Sequence, residues 1–157
     1  MSDPSRPPTP DQFAGAEQLL EAWLADEAAQ NPTVVSVEKD HDDPEPRFLV
    51  RVVGEERGTF SIWFHLRQRT LHVECYMMPA PEEHHGELYE YLLRRNLKLQ
   101  GVRFAIGAED AIFVVGETPV ERITERELDQ LFGAMYAYVE QCFRPGMRIG
   151  FGSRFTG

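Results

Sequence analysis

Apolar residues recur at two periods along this chain, and each change of period marks a boundary between elements. Phe13, Ala16, Leu19, Leu20, Trp23 and Leu24 fall on one face at helical spacing, the stripe that a helix docked on a core requires. Asp11 is placed to cap that helix. Asn31-Pro32 should end it, because a proline pushes its predecessor out of helical backbone. From residue 33 the period drops to two. Residues 33–40 are rich in valine. Residues 47–53 set Phe48, Val50 and Val52 on one face, and residues 59–66 do the same with Phe60, Ile62, Phe64 and Leu66. Residues 70–77 align Leu71, Val73, Cys75 and Met77. Such alternation marks antiparallel strands with one face on a core. The short connections at 54–58 and 67–69 suit hairpins.

Pro81, Glu82 and Glu83 signal a second helix start, since proline and acids both suit a first turn. That helix carries Leu88, Tyr91 and Leu92 and should end near Asn96. A second hairpin follows, with strands at 102–107 and 111–116 around a turn at 108–110. Thr124 and Glu127 then have capping-box spacing. They open a long stripe of Leu128, Leu131, Phe132, Met135, Tyr138, Val139, Cys142 and Phe143. Arg144-Pro145-Gly146 reads as its end and residues 147–157 as a Gly- and Arg-containing tail. The expected architecture is α+β: an antiparallel sheet of about five to six strands with three helices, in the order α-β-β-β-β-α-β-β-α. It forms one domain over residues 12–157, behind a proline-rich, disordered lead at residues 1–11.

Composition narrows the classes without choosing among them. A chain of 157 residues buries roughly 70% of its unfolded surface, so no staple is required for folding. Cys75 and Cys142 stand apart in apolar surroundings and read as small hydrophobes of a reducing compartment. The formal net charge of −10 argues against a nucleic-acid partner, which would demand clustered Lys and Arg. No apolar run approaches membrane-spanning length and no secretory leader is recognisable. A cytoplasmic location is expected.

Several segments are similar to the YbjN family, described as sensory-transduction regulators, and to the wider type III secretion chaperone-like fold. They are the block Val73-Glu74-Cys75-Tyr76-Met77-Met78-Pro79, the helix from Glu87 to Asn96, the segment from Phe104 to Ile112, and the closing Phe151-Gly152-Ser153-Arg154-Phe155. The likeness covers about residues 15–155 and runs to actinobacterial members. It implies a secretion chaperone-like fold. Chaperones of that fold are homodimers that hold an extended partner segment on an apolar surface. No catalytic motif of the family can be carried over.

The residues themselves argue against most chemistries. Glu83-His84-His85-Gly86-Glu87 lacks the HExxH spacing that puts two histidines on one helix face. There is no nucleophile elbow, P-loop or complete dinucleotide loop. The acidic run from Glu38 to Glu45 lacks the glycine and terminal glutamate of an EF-hand and reads as a solvated turn. Pairing Phe64 with Val73 would set His65 opposite His72 on the other sheet face, with Glu74 nearby. That is a polar surface or a pH-sensitive pair, short of the ligands a metal site wants. Arg94, Arg95, Lys98 and Arg103 form a basic cluster that complements a helix C-terminus or binds an anion. No catalytic residue, metal site or cofactor is assigned.

The other sheet face carries Leu49, Val53, Trp63, Tyr76 and Met78, joined by Phe113 and Val115 of the second hairpin. A solvated face would hold mainly Thr, Lys and Glu. Contiguous aromatic and Met surface is typical of interfaces. Alternatively the N-terminal helix covers this face, or the sheet is buried on both sides. The preferred reading is a non-enzymatic protein-binding module, homodimeric, with Trp63 and Tyr76 as anchors among Leu49, Met78 and Phe113. The alternative is a small-ligand sensor with a pocket lined by Phe60, Phe64 and Phe132. Last comes an enzyme centred on His65, His72, Glu74 or Glu109.

Overall fold

The computed structural model describes residues 6–154. Three helices and six strands follow one another as α1 (Pro10–Gln30), β1 (Val34–Lys39), β2 (Arg47–Val53), β3 (Thr59–Leu66), β4 (Thr70–Met78), α2 (His85–Asn96), β5 (Val102–Ile106), β6 (Ile112–Pro119) and α3 (Glu125–Phe151). The strands form one antiparallel sheet in the order β1-β2-β3-β4-β6-β5. This is the expected α+β order, with β6 inserted between β4 and the edge strand β5.

The register follows from the alternation. Phe64 pairs with Val73, Trp63 with Glu74 and His65 with His72, so the apolar residues of β2, β3 and β4 share one buried face. All three helices dock on that face. Trp23 of α1 lies 5.7 Å from Phe64 on the sheet and 5.6 Å from Phe132 on α3, centroid to centroid. Its indole Nε1 donates to Asp129 Oδ1 at 2.8 Å. Both the ring and its polar tip are therefore satisfied at the junction of two helices and the sheet.

Five sequence expectations need correction. Helix α1 begins at Pro10 behind Thr9, whose side chain accepts from Gln12 N–H while Gln12 reaches back to Thr9 N–H. Asp11 thus lies in the first turn and not at the cap. The expected disordered lead accordingly loses its last two residues to α1, and residues 1–5 lie outside those described. Helix α2 starts at His85, behind His84 in left-handed backbone at φ 53°, and not at Pro81. Met78, assigned above to the outer face, is fully buried, because a register shift between Tyr76 and Met78 turns two successive methionines inward.

Helix α3 does not stop at Pro145 but runs on to Phe151. Tertiary contacts hold the extra turn. Gly146 and Gly150 face Met78 and Pro81 so closely that an added Cβ would stand 2.9 Å from either neighbour. The Gly150 carbonyl accepts from Glu82 N–H at 3.0 Å and Glu83 N–H at 3.1 Å. The Glu83 carboxylate in turn accepts from Ser153 N–H at 2.8 Å and its hydroxyl at 3.0 Å. These bonds hold the Glu83 carboxyl below its ordinary pKa. Elsewhere, the Glu140 carboxylate accepts from the backbone N–H groups of Glu55, Glu56 and Arg57. It occupies the space a side chain at Gly54 would need, and so fixes α3 to the β2–β3 turn.

Truncating the ring shared by α1, α3 and the sheet should cost most. Trp23→Ala is expected to lower unfolding free energy by about 3–5 kcal/mol, read from urea denaturation. A loss below about 0.5 kcal/mol, within the range of surface changes, would contradict this packing.

Candidate functional site

With every helix on one side, the opposite sheet face has no helix over it among the described residues. Leu49 and Trp63 are register partners there, and the Arg47 guanidinium lies 3.9 Å over the Trp63 ring. Tyr76 and Phe113 pair across β4 and β6 with centroids 5.6 Å apart at 90°. Between these two groups lies a shallow depression of about 280 Å³, lined in part by Arg57, Ser61, Trp63, Glu74, Tyr76 and Phe113. Tyr76 is 40% exposed; Leu49, Trp63 and Phe113 are half-buried. Val53 is exposed and Val115 buried. The expected aromatic face is thus present without Met78.

The histidine pair is adjacent, but its ring nitrogens turn to different partners. His72 sits between Glu117 at 3.3 Å from Nδ1 and Glu74 at 3.4 Å from Nε2. His65 Nε2 faces Glu45 at 3.2 Å and Asp43 at 4.0 Å in the β1–β2 loop. Glu109 stands apart in the β5–β6 turn, with left-handed backbone.

The basic cluster does not assemble as one patch. Arg94 pairs with Glu90 and Arg95 donates to Gln141. Arg103 alternates with the buried Val102 and Phe104, which sets it on the outer face, across the sheet from α2. The proposed ligand pocket is filled as well. Phe64 and Phe132 stack at 6.3 Å with Trp23 against both, and Phe60 packs on Tyr136. Cys75 is no nucleophile at neutral pH, since burial pushes its thiol up to about 12.

One surface went unread in the sequence. An apolar groove of about 360 Å³ runs between α2 and β5, lined by Tyr89, Leu92, Leu93, Phe104, Ile106 and Ile112 among others. Leu93 is 68% exposed and the neighbouring Leu97 88%. The signal was there, in two leucines one turn apart and off the Leu88–Leu92 stripe. The strand edge beside the groove is plugged. Phe104 N–H donates to Asn96 Oδ1 at 2.7 Å, and Asn96 Nδ2 donates to the Phe104 carbonyl at 3.2 Å. Covering an edge in this way blocks pairing with a further strand.

Three helices on one face of an antiparallel sheet, in this order, define a protein of the type III secretion chaperone-like fold. A chain of the heterodimeric ExoU–SpcU complex from the type III secretion system of Pseudomonas aeruginosa superposes with a TM-score of 0.53 at 12% identity, covering 80% of this chain and 98% of that one. The chain belongs to the YbjN family, described as "Putative bacterial sensory transduction regulator", whose pattern matches residues 17–145. Uncharacterized proteins of Mycobacterium tuberculosis and Mycobacterium leprae are 26% identical over 108 residues and 28% over 107. The matches take in 69% and 68% of this chain but only 59% and 58% of those relatives, so the chain spans about three-fifths of their length. No helix among the described residues is long and apolar enough to cross a membrane.

Proposed function

We propose that the chain is a non-enzymatic module that holds a partner polypeptide on the outer face of its sheet. Trp63 and Tyr76 act as anchors, with Leu49 and Phe113 around them. The observation that carries this reading is the one-sided docking of the helices, which leaves paired aromatic rings on a face with no helix over it. Aromatic residues and Arg are the usual energetic centres of interfaces, and Arg47 and Arg57 border this one. The heterodimeric secretion complex with the same fold supports the pairing with a second polypeptide. The alternative, a small-ligand sensor, would need a core pocket lined by Phe60, Phe64 and Phe132, but Trp23 packs against both Phe64 and Phe132 there. Trp63→Asp, in a tagged chain recovered from native lysate, should lower the yield of a near-stoichiometric co-purifying protein at least ~10-fold, the scale of an interface anchor, with circular dichroism unchanged. Equal recovery on the folded variant would overturn this assignment.

Self-association is assigned to the other unpartnered surface, the α2–β5 groove. Exposed leucines and an isoleucine around an apolar groove suit a second copy better than water, and the Asn96 plug disfavours strand addition at the same place. A Leu93→Glu, Leu97→Glu double variant is expected to halve the mass of the purified chain in light scattering. An unchanged dimer mass would move the interface elsewhere, and a parent chain that is already monomeric would remove it.

A further inference from the structure

The β1–β2 loop is tied down at both ends. Asp40 N–H donates to the Arg47 carbonyl at 2.8 Å, and Leu66 N–H donates to the Pro46 carbonyl at 2.8 Å. Between these ties the loop brings Asp43 and Glu45 to His65. Asp43 Oδ1 accepts from Glu45 N–H at 3.0 Å, which leaves Oδ2 toward the imidazole. One donor atom from each of the three residues lies within 4.8 Å of the others. The side chains of His65 and Asp43 are 20% and 22% exposed.

His65 Nε2 is shielded from solvent and makes no hydrogen bond, although a Glu45 oxygen is only 3.2 Å away. At that distance an aligned donor and acceptor would bond, so the oxygen stands off the axis of the ring nitrogen. Nε2 and the Glu45 oxygen therefore lie side by side without a bond between them, with Asp43 Oδ2 next to them. Ligands at 2.0–2.2 Å around a tetrahedral zinc stand about 3.4 Å apart. The His65–Glu45 separation of 3.2 Å is close to this, and Asp43, at 4.0 Å from His65 and within 4.8 Å of Glu45, would have to move in toward the ion. Arg47, the register partner of His65 on the neighbouring strand, is directed elsewhere, to Asp40 at 3.6 Å and onto Trp63.

We propose that Asp43, Glu45 and His65 form a binding site for one divalent first-row metal ion, of the zinc class that one imidazole and two carboxylates suit. Three protein ligands leave at least one coordination position open to water or to a donor from another molecule. The inference rests on this geometry alone and does not depend on the partner-binding reading.

The test uses the full chain, stripped with chelator and titrated with zinc chloride by calorimetry and by thermal melting. One equivalent of zinc should bind and raise the melting temperature, since an ion held by the native state stabilises it by mass action. His65→Gln should weaken binding at least ~10-fold, and so should a double Asp43→Asn, Glu45→Gln variant, which alters only the loop and guards against misfolding at β3. A His84→Gln, His85→Gln variant should bind as the parent does. Absence of zinc binding, or binding that survives both the His65 and the loop variants, would overturn the site. So would loss of binding in the His84/His85 variant alone.

Discussion

Trp23 reaches from α1 into the space between Phe64 of the sheet and Phe132 of α3, and the arrangement of the molecule depends on that contact. It draws the first and last helices onto the same sheet face, and its indole N–H fixes their relative position through Asp129. Once both helices lie on that side, the core is complete and the opposite face has no helix to bury its aromatics. A buried ring of this size contributes several kcal/mol. That is a large part of the 5–15 kcal/mol by which a domain is held folded.

A second consequence concerns the segments that gave the chain its family likeness. They are far apart in sequence, yet three of them border one joint, built on Gly146, Gly150 and Glu83. Met78 at the end of β4 packs against Gly146 and Gly150 of α3, and Leu88 of α2 reaches Gly146 as well. The turn after α3 is fastened to Glu83 through Ser153. The fourth segment, β5 into β6, is tied to the end of α2 by Asn96. The segments of family likeness thus border a structural joint between β4, α2 and α3.

The strands and their register were legible because period two leaves little freedom. Once Phe60, Ile62, Phe64 and Leu66 must face a core, a slip of one residue would expose all four. The outer aromatics followed from the same alternation. Met78 did not, because a register shift between Tyr76 and Met78 breaks the period at the strand's end. The last turn of α3 was hidden by Arg144-Pro145-Gly146, a local stop signal that tertiary packing overrides: the glycine that looks like a terminator is the residue that permits close approach to Met78. The start of α2 was misread for the converse reason, since Pro81 packs against Gly150 and serves the joint and not the helix. The acidic loop and His65 were each noticed, but about twenty residues separate them, and only the fold brings them together.

One-sided helix packing is tested most directly by the two tryptophans. In a Trp23→Phe variant the fluorescence comes from Trp63, and in a Trp63→Phe variant from Trp23, so acrylamide quenching reads the two faces separately. Trp63 is expected to quench markedly more steeply than the buried Trp23. Equal, shallow quenching of both would mean that the outer face is covered, and would contradict the account of this sheet as a surface held open for a partner.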